Sequence, residues 1–551
     1  MPRSSVRPLP PAESPAIVLT TLNARFIHAS LGLRYLLANM GDLRPQTVLR
    51  EFTIARATAE IVDELLRAAG REASRAIIGF GVYIWNVQQT TAVVRRIKAE
   101  RPEITVVLGG PEVSHECEVQ EIVGLADYVI TGWGDVSFAA LCQDLLSGQR
   151  RTKIIAGEHP PLARIAFPYA EYGDADLAHR LLYVESSRGC PFKCEFCLSS
   201  LDQTAWAFDT DLFLAQIDTL YRRGARNFKF VDRTFNLKID ASVRVLQFFL
   251  DRLAAPEKPG ANDLHVHFEV IPDRLPARLK ELIARFPPGV LQLEIGVQTF
   301  NPDVQQRISR RQDSATTEAN LRWLRAESNA HLHADLIFGL PGETLASFAH
   351  GFDCLYALRP HEIQLGLLKR LRGTPIVRHS LAFGMVYDPA PPYTVRQTAA
   401  VDAPSMQRVA RFARYWELTA NSGRFPRALE LLLDQGHSPF AAFLDFSDCL
   451  WQRFGKTCGL APEILVDTLF DHLSTIRRQP APTVRAALLH DYLGSGARGH
   501  PSSLKGLLPR RTSAVPLRTL TQLSQRQARH LAGRRHPALP PAFLSAAKAI
   551  R

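Results

Sequence analysis

The sequence predicts an α/β protein with a doubly wound first domain, a second set of six strands and a helical C-terminal part. From Ala16 onward, short apolar runs alternate with amphipathic segments of helical periodicity. This alternation is typical of parallel strands covered by helices on both faces. A second series of apolar runs, each ending on polar residues, lies between Leu181 and Pro375, and beyond Pro375 apolar residues recur at helical spacing.

Length and composition favour several packed domains. The 551 residues exceed one typical domain, which excludes a peptide hormone or a disulfide mini-protein. Hydrophobic residues at 46% and charged residues at 22% are near the averages of globular proteins. The longest apolar run, Ala76 to Trp85, is too short to span a bilayer, and the N-terminus lacks a secretory signal. We therefore expect a cytoplasmic protein.

Most of the net charge of +12 lies at the C-terminal end. Residues 501–551 contain ten Lys or Arg and no Asp or Glu. Such a segment could hold an acidic partner such as RNA, but its prolines and its single aromatic residue, Phe543, favour a solvated extension. The sequence accordingly divides into a disordered N-terminus (1–14), a doubly wound domain (15–148), a linker (149–180), the second strand-rich domain (181–376), a helical domain (377–495) and a basic flexible tail (496–551).

Five strands are predicted in the first domain, at IVLTTL, TVLREFTI, AIIGFGVYIW, TVVLGG and DYVITG. In a doubly wound sheet, ligands bind beyond the carboxyl ends of the strands, and glycine there allows close approach to the backbone. No G-x-G-x-x-G follows the first strand, which argues against a dinucleotide. The candidate ligand-binding residues are therefore those at the strand ends: Tyr83, Gly109, Gly110, Pro111, Glu112, Gly132, Trp133 and Gly134.

The strongest motif is a C-x3-C-x2-C array in the second domain. Cys190, Cys194 and Cys197 follow a strand directly, on a loop containing glycine and proline. Thiolates at this spacing can hold an iron-sulfur cluster. The alternatives are buried structural cysteines or three ligands of a zinc site, but a zinc site ordinarily has a second cysteine pair. The remaining cysteines lack ligand spacing and are expected to be core thiols: Cys117, Cys142, Cys354, Cys449 and Cys458.

With this loop, the second domain resembles the radical S-adenosylmethionine (SAM) superfamily, in its coproporphyrinogen-oxidase-like branch. The resemblance covers about 200 residues and includes NFKFVDRTFN, HVHFEVIPDRL, LQLEIGVQTFN, HADLIFGLPGET and EIQLGLLKRLRGTP. It implies a partial (β/α)6 barrel of TIM type. It also implies a 4Fe-4S cluster in which the three cysteines bind three irons and SAM binds the fourth.

The resemblance also assigns residues to SAM. Phe196 matches the position that contacts adenine, and Asp232 stands near the SAM amino group. Four further residues match positions that hold the ribose and carboxylate of SAM: Glu269, Gln298, Arg310 and Asp335. Arg311 competes with Arg310 for this role, and Glu294 is an undecided SAM or substrate contact. For each of these residues, the alternative is a buried polar group satisfied within the sheet.

A doubly wound domain ahead of the barrel is similar to that of cobalamin-binding radical SAM enzymes, and the whole chain is similar to such proteins with a C-terminal domain of unknown function. The strand ends GGPE and GWGD carry this resemblance, which implies bound cobalamin. Families with a histidine as lower ligand use D-x-H-x-x-G, whereas NARFIHASLG has no aspartate two residues before His28. We therefore expect His28 to be a packing or helix-start residue.

The resemblance implies reductive cleavage of SAM to methionine and a 5'-deoxyadenosyl radical, with methyl transfer from cobalamin to an unactivated carbon. The alternatives are a radical rearrangement or cyclisation, with or without cobalamin, and a non-catalytic sensor that binds cobalamin and the cluster. An electron donor such as flavodoxin or ferredoxin is the expected partner. No particular residue is assigned as a catalytic acid or base, and the resemblance does not identify the substrate.

Overall fold

The computed structural model describes residues 17–70, 76–254, 264–434, 436–508 and 526–530. The predicted disordered N-terminus and most of the predicted basic tail lie outside these residues. Within the described ranges, no helix is both long enough and apolar enough to cross a membrane.

The first domain is a parallel six-stranded sheet in the order β2-β1-β3-β4-β5-β6. Its strands are β1 (Ile17–Asn23), β2 (Thr47–Thr53), β3 (Ile77–Gly81), β4 (Thr105–Gly109), β5 (Tyr128–Thr131) and β6 (Ile154–Ala156). Its helices are α1 (Leu31–Ala38), α2 (Thr58–Ala69), α3 (Val87–Glu100), α4 (Glu121–Leu125) and α5 (Ser137–Leu146). Two separate apolar clusters cover the two faces of the sheet, as a doubly wound fold requires. β6 falls in the predicted linker, so the sheet has one strand more than expected.

The second domain is a partial barrel of six parallel strands in the order β14-β13-β12-β11-β10-β7, as predicted. These strands are β7 (Leu182–Val184), β10 (Asn227–Phe230), β11 (His265–Val270), β12 (Leu291–Gln298), β13 (His331–Phe338) and β14 (Glu362–Leu367). The helices before and around them are α6 (Asp174–His179), α7 (Thr210–Arg222), α8 (Ile239–Ala254), α9 (Ala277–Ala284), α10 (Pro302–Arg307), α11 (Ser314–Glu327) and α12 (Leu345–Ala357). Two strands of two residues each, β8 (Ser187–Arg188) and β9 (Trp206–Ala207), form a separate antiparallel ribbon.

The C-terminal part is helical and packs on α12. A short antiparallel pair, β15 (Val386–Tyr387) and β16 (Val395–Gln397), leads into it. Its helices are α13 (Ala403–Thr419), α14 (Pro426–Leu433), α15 (Pro439–Phe454), α16 (Pro462–Asp471) and α17 (Ala481–Ser495). Phe352 of α12 packs edge-on against Phe412 and Trp416 of α13, at 5.3 and 5.0 Å between ring centroids. Barrel and helical domain therefore share one hydrophobic core.

One segment of the predicted tail packs beneath the barrel. Gln527 is buried, and its side-chain amide contacts His265 at 2.8 Å and Gln292 at 2.7 Å, at the N-terminal ends of β11 and β12. Arg526 pairs with Glu362 at 2.5 Å. The expectation of a solvated tail is therefore wrong for residues 526–530, which close the barrel at the end opposite the cysteine loop.

Buried ion pairs fix the first domain against the barrel. Arg180 pairs with Glu51 at 2.6 Å, and Arg34 pairs with Asp176 at 2.8 Å. The loop after β1 also extends the barrel sheet, because His28 and Leu181 form a parallel bridge. As a result, the strand ends of the first domain face the barrel.

Candidate cofactor site

The three-cysteine loop follows β7 and is closed at its base by the β8–β9 ribbon. Gly189 joins β8 to Cys190 with φ +80°, and a Cβ at this position would lie 2.6 Å from Thr204 Oγ1. Glycine is required here because a side chain would be strained and would clash with the adjoining segment. The backbone N–H of Cys190 donates to Asp202 O at 2.8 Å, which ties the start of the loop to its return.

The three thiols lie close enough to influence one another. Cys190 and Cys194 are buried and Cys197 is half-buried. Burial raises the pKa of Cys190 to about 11, and the neighbouring Cys197 and Cys194 add to this rise. Burial also raises the pKa of Cys194, while the Arg310 guanidinium opposes the rise, with Nη1 3.5 Å from Cys194 Sγ. The site thus supplies a cation to thiols that are costly to ionise without one.

This donor set fits a cluster of several irons. In the part of the chain that the structure describes, no three His, Cys, Asp or Glu side chains converge closely enough to hold one metal ion. A cluster distributes its cysteines over separate irons, so its thiolates need not converge on one point. Three neighbouring thiols on one loop, with a guanidinium beside them, meet that requirement.

Asp232 stabilises the start of the cysteine loop through hydrogen bonds. Its carboxylate accepts hydrogen bonds from the Ser186 backbone N–H at 2.9 Å and from the hydroxyls of Ser186 and Ser187 at 2.7 and 2.6 Å. The residue is 1% exposed. Its predicted place near the SAM amino group stays a prediction, but the contacts show a structural role in holding the loop.

Of the residues assigned to SAM, Arg310 contacts Cys194, and Gln298 lies beside Gly296, which Arg310 also contacts. Arg310 reaches both Cys194 and the carbonyl of Gly296. Gln298 has a positive φ of 69° at a break in the β12–β13 register, and its amide nitrogen lies 2.6 Å from where a Cβ on Gly296 would be. Gly296, Gln298 and Arg310 therefore form one polar wall. Arg311 is exposed and Arg310 contacts Cys194, so the assignment of Arg310 to SAM stays the favoured prediction. Phe196 is half-buried and packs on the barrel core.

The remaining acidic positions face the barrel interior and are paired. Glu269 receives a hydrogen bond from Arg233 Nη1 at 2.8 Å. Asp335 lies 3.3 Å from His333 Nε2. Burial opposes the charge of His333, but the nearby carboxylates of Asp335 and Glu362 raise the pKa of His333 to about 9.

Glu294, which the sequence left undecided, is held by the wall of the barrel. Its carboxylate lies 3.0 Å from His267 Nε2 and 3.4 Å from Lys229 Nζ. Burial would raise the pKa of Glu294, but the hydrogen bond from His267 and the charge of Lys229 hold it well below its usual range. Sequence reasoning missed Lys229, His267 and His333, although period-2 alternation along β10, β11 and β13 places them on the interior face.

A cavity of about 320 Å³ lies over the strand ends of the first domain. Six of the predicted ligand-binding residues line it: Tyr83, Gly109, Gly110, Gly132, Trp133 and Gly134. A Cβ on Gly109 would meet nothing closer than Ile130 O at 3.8 Å, so this glycine leaves free space. Gly110 is required by the fold itself, since φ is +107° and a Cβ would lie 2.6 Å from Val82 O.

The cavity continues inward along the sheet. Sequence reasoning missed the inner wall of the cavity, which includes Gly79 of β3, Val107 of β4 and Phe138 of α5. The residues that line the cavity are compatible with cobalamin, because glycines at the strand ends allow its macrocycle to approach the backbone closely.

Two predicted members of the set, Pro111 and Glu112, do not line this cavity. The Glu112 carboxylate is buried and accepts hydrogen bonds from Arg372 Nε at 3.0 Å and from Tyr393 Oη at 2.5 Å. Glu116 of the same loop pairs with Arg370 and Arg372, each at 3.0 Å. Glu112 therefore makes a contact between domains, and its predicted cofactor contact stays a prediction.

Arg188 connects the cavity to the cysteine loop. It lines the cavity two residues before Cys190 and donates to both Asp135 oxygens, at 2.8 and 3.0 Å, and to Glu185 at 2.7 Å. Its guanidinium also lies 4.9 Å from the Trp133 ring centroid. One side chain thus joins the GWGD strand end of the first domain to the segment that leads into the cysteine loop.

His28 packs against the barrel, and its expected lack of contact with cobalamin stays a prediction. Its Nδ1 is 2.8 Å from the hydroxyl of Tyr183 on β7. Burial lowers the pKa of His28, and Lys229 lowers it further. The side chain belongs to the barrel wall and is absent from the cavity lining.

The fold and the cysteine loop together define a radical SAM barrel preceded by a doubly wound cofactor domain. Comparison with protein families agrees: residues 17–142 match the B12 binding domain, residues 184–354 the radical SAM superfamily and residues 382–531 a protein family of unknown function, DUF4080. The chain therefore contains a B12-binding domain, a radical SAM domain and a DUF4080 domain, in that order. Its cofactors are the 4Fe-4S cluster, SAM and cobalamin.

Two characterised proteins are similar to parts of the chain. The cobalamin-dependent radical SAM methyltransferase TokK of Streptomyces tokunonensis is 24% identical over 326 residues, or 53% of this chain and 47% of TokK. The 2-(S-pantetheinyl)-carbapenam-3-carboxylate methyltransferase of Streptantibioticus cattleyicolor is 23% identical over 332 residues, or 55% and 48%. The chain thus spans about half the length of these relatives.

A solved structure is similar over nearly the whole fold. The cobalamin-dependent S-adenosylmethionine radical enzyme OxsB, with aqua-cobalamin and S-adenosylmethionine bound, has a TM-score of 0.59 and 13% identity, covering 94% of this chain and 83% of OxsB. The similarity shows that the two proteins share a fold.

Proposed function

We propose that this protein is a cobalamin-dependent radical SAM methyltransferase that methylates a carbon atom. The observation that carries the proposal is the short connection between its two candidate cofactor positions: Arg188 lines the cavity, binds Asp135 and stands two residues before Cys190. When bound, the cluster supplies the electron that cleaves SAM to methionine and a 5'-deoxyadenosyl radical, and cobalamin carries the methyl group.

The residues of this chain bind and orient the reactants. Cys190, Cys194 and Cys197 would hold three irons, and Arg310 would stabilise the neighbouring thiolate while presenting cationic N–H groups to the carboxylate of SAM. Gln298 would donate to, or accept from, the polar groups of SAM on the same wall. These positions remain proposals that derive from the superfamily and from the contacts described above.

The interior of the barrel is the proposed substrate region. The side chains of Lys229, Glu294, His333 and Asp335 are partly exposed there, with exposures between 14 and 24%. Arg526 and Gln527 close the opposite end, so that a radical formed at the cysteine loop would be protected from solvent on that side. A polar substrate group fits such a wall better than an apolar group.

The relatives support methyl transfer over the alternatives, because both are methyltransferases by name. The test is product analysis with the reconstituted protein, cobalamin, a strong reductant, a small-molecule extract and SAM that carries a deuterated methyl group. Methyl transfer to carbon yields 5'-deoxyadenosine, S-adenosylhomocysteine and a labelled product. A rearrangement would yield 5'-deoxyadenosine without S-adenosylhomocysteine and would contradict the proposal.

A further inference from the structure

The segment that follows β14 contacts both the first domain and the cysteine loop. It comprises residues 370–379, which we call the connecting segment, and it begins at the carboxyl end of the barrel. The middle of the segment is fixed in the protein interior. Thr374 is 2% exposed, and its hydroxyl donates to Leu371 O at 2.5 Å. Ile376 is fully buried and belongs to the barrel core. A displacement at one end of the segment is therefore resisted by packing in its centre.

The first end of the connecting segment holds the loop after β4. Arg372 donates from Nε to Glu112 and from Nη1 to Glu116, each at 3.0 Å. Arg370 also pairs with Glu116 at 3.0 Å, and the backbone N–H of Gly373 donates to the same carboxylate at 3.3 Å. Several hydrogen bonds in different directions fix the orientation of the loop as well as its distance, which a single ion pair would not do.

The backbone of both partners is shaped for this contact. Glu116 has a φ of +51°, which is unfavourable for a residue other than glycine and persists where surrounding contacts hold it. Gly373 has a φ of +78°, and a side chain there would clash with the ring of His115. The same loop reaches the cofactor cavity, because Ser114 Oγ donates at 2.8 Å to the carbonyl of Gly110, which lines the cavity.

The second end of the connecting segment holds the cysteine loop. The backbone N–H of Ile376 donates to Glu195 O at 3.0 Å. The Glu195 carboxylate contacts His379 Nε2 at 2.8 Å and pairs with Arg378. It also accepts from Ser309 Oγ at 2.6 Å, and its side chain is only 4% exposed. One buried carboxylate of the cysteine loop therefore fastens this end of the segment.

The ion pairs between Arg180 and Glu51 and between Arg34 and Asp176 lie at the opposite edge of the barrel. Arg180 directly precedes β7, which is the last strand in the order of the barrel sheet, whereas the connecting segment follows β14, which is the first. The first domain is thus held at both edges of the barrel. Without the contacts of the connecting segment, the cofactor cavity could pivot about the β7 edge.

We propose that the connecting segment positions the cobalamin-binding domain relative to the cysteine loop, with Arg372 as the positioning residue at one end and Glu195 at the other. The inference rests on the proposed function and deepens it. Methyl transfer requires the cofactors of both domains in register, whereas cleavage of SAM to 5'-deoxyadenosine requires the barrel alone. A misplacement of about 1 Å far from the reacting atoms can cost roughly 100-fold in rate.

The test uses the reconstituted holoenzyme with the cluster and cobalamin bound, supplied with SAM, a strong reductant and the small-molecule extract. It measures S-adenosylhomocysteine and 5'-deoxyadenosine, together with the hydrogen exchange of residues 109–116. Arg372→Met leaves the buried Glu112 without its cation, so Arg370→Met, which keeps that pair, is the second variant. Arg44→Met is the matched control, because Arg44 pairs with Glu171 away from the connecting segment.

We expect the amount of S-adenosylhomocysteine formed per 5'-deoxyadenosine to fall about 10- to 100-fold in Arg372→Met and less in Arg370→Met. Hydrogen exchange of residues 109–116 should rise in both variants. The cluster content and the rate of 5'-deoxyadenosine formation should stay at the wild-type level. His379→Phe, at the other end of the segment, should lower the same ratio, and Arg44→Met should leave it unchanged.

Two results would overturn the inference. One is unchanged hydrogen exchange of residues 109–116 in both arginine variants. The other is a parallel loss of both products at a constant ratio, which would indicate a merely structural role. Absence of S-adenosylhomocysteine in the wild type would contradict the proposed function instead, while the exchange measurement would still test the connecting segment.

Discussion

Substitution of Gly109 by leucine should weaken cobalamin binding without destabilising the fold. A Cβ at this position has free space, because its nearest neighbour would be Ile130 O at 3.8 Å. The added side chain would therefore enter the cavity of about 320 Å³ that the ligand must fill. Overpacking of this kind costs about 1–3 kcal/mol, so the Kd for cobalamin should rise roughly 5- to 150-fold. Titration followed by the visible absorbance of the corrin measures the effect.

Gly110→Ala provides the matched comparison, because the neighbouring glycine has the opposite environment. Its φ of +107° and the 2.6 Å approach to Val82 O make any side chain strained. We expect a loss of about 1–3 kcal/mol in the free energy of unfolding, seen as a lower Tm without ligand. Equal cobalamin affinity in wild type and Gly109→Leu would refute the placement of the corrin, and so would a loss of cluster absorbance in Gly109→Leu.

Three further predictions concern the barrel side. His28→Ala should leave the visible spectrum of bound cobalamin unchanged, because the imidazole contacts Tyr183 and not the cavity; a shifted spectrum would make His28 a ligand. Arg310→Gln should retain the cluster but raise the Kd for SAM, measured by equilibrium dialysis, since the guanidinium is the cation beside Cys194; unchanged affinity would contradict its role. His333→Gln should destabilise the protein at pH 6 but much less at pH 10. The pKa of His333 rises from 6.5 in the unfolded chain to about 9 in the folded protein. The stabilisation by protonated His333 is therefore complete below pH 6.5 and is lost as the pH rises through 9. Denaturant unfolding at both pH values tests this, and a pH-independent difference would contradict the pairing with Asp335.

Local signals predicted the architecture and the cysteine loop. Continuous apolar runs define β1 and β3, and three thiols within eight residues need no long-range information to be recognised. β6 escaped prediction because it is only three residues long and two of them are exposed, so no buried apolar run marks it. Its place in the sheet depends on its backbone pairing with β5.

Contacts between distant parts of the chain could not be predicted from the sequence. Glu112 follows a strand end, as a cofactor ligand would, but its partner Arg372 lies 260 residues away and no local pattern reveals it. Likewise, the contact of Gln527 with His265 spans 262 residues, and the basic composition of the tail gave no indication of it. The residues that line the inner cavity, such as Phe138, look like ordinary core positions of a helix until the space beside them is known.

The central claim is that this chain holds a SAM-cleaving cluster on Cys190, Cys194 and Cys197. The most direct measurement is the formation of 5'-deoxyadenosine by anaerobically reconstituted protein with dithionite, in wild type and in the triple alanine variant. We predict that the wild type binds about one 4Fe-4S cluster per chain and forms 5'-deoxyadenosine, and that the triple variant does neither. Cluster absorbance or 5'-deoxyadenosine formation in the triple variant would contradict the claim.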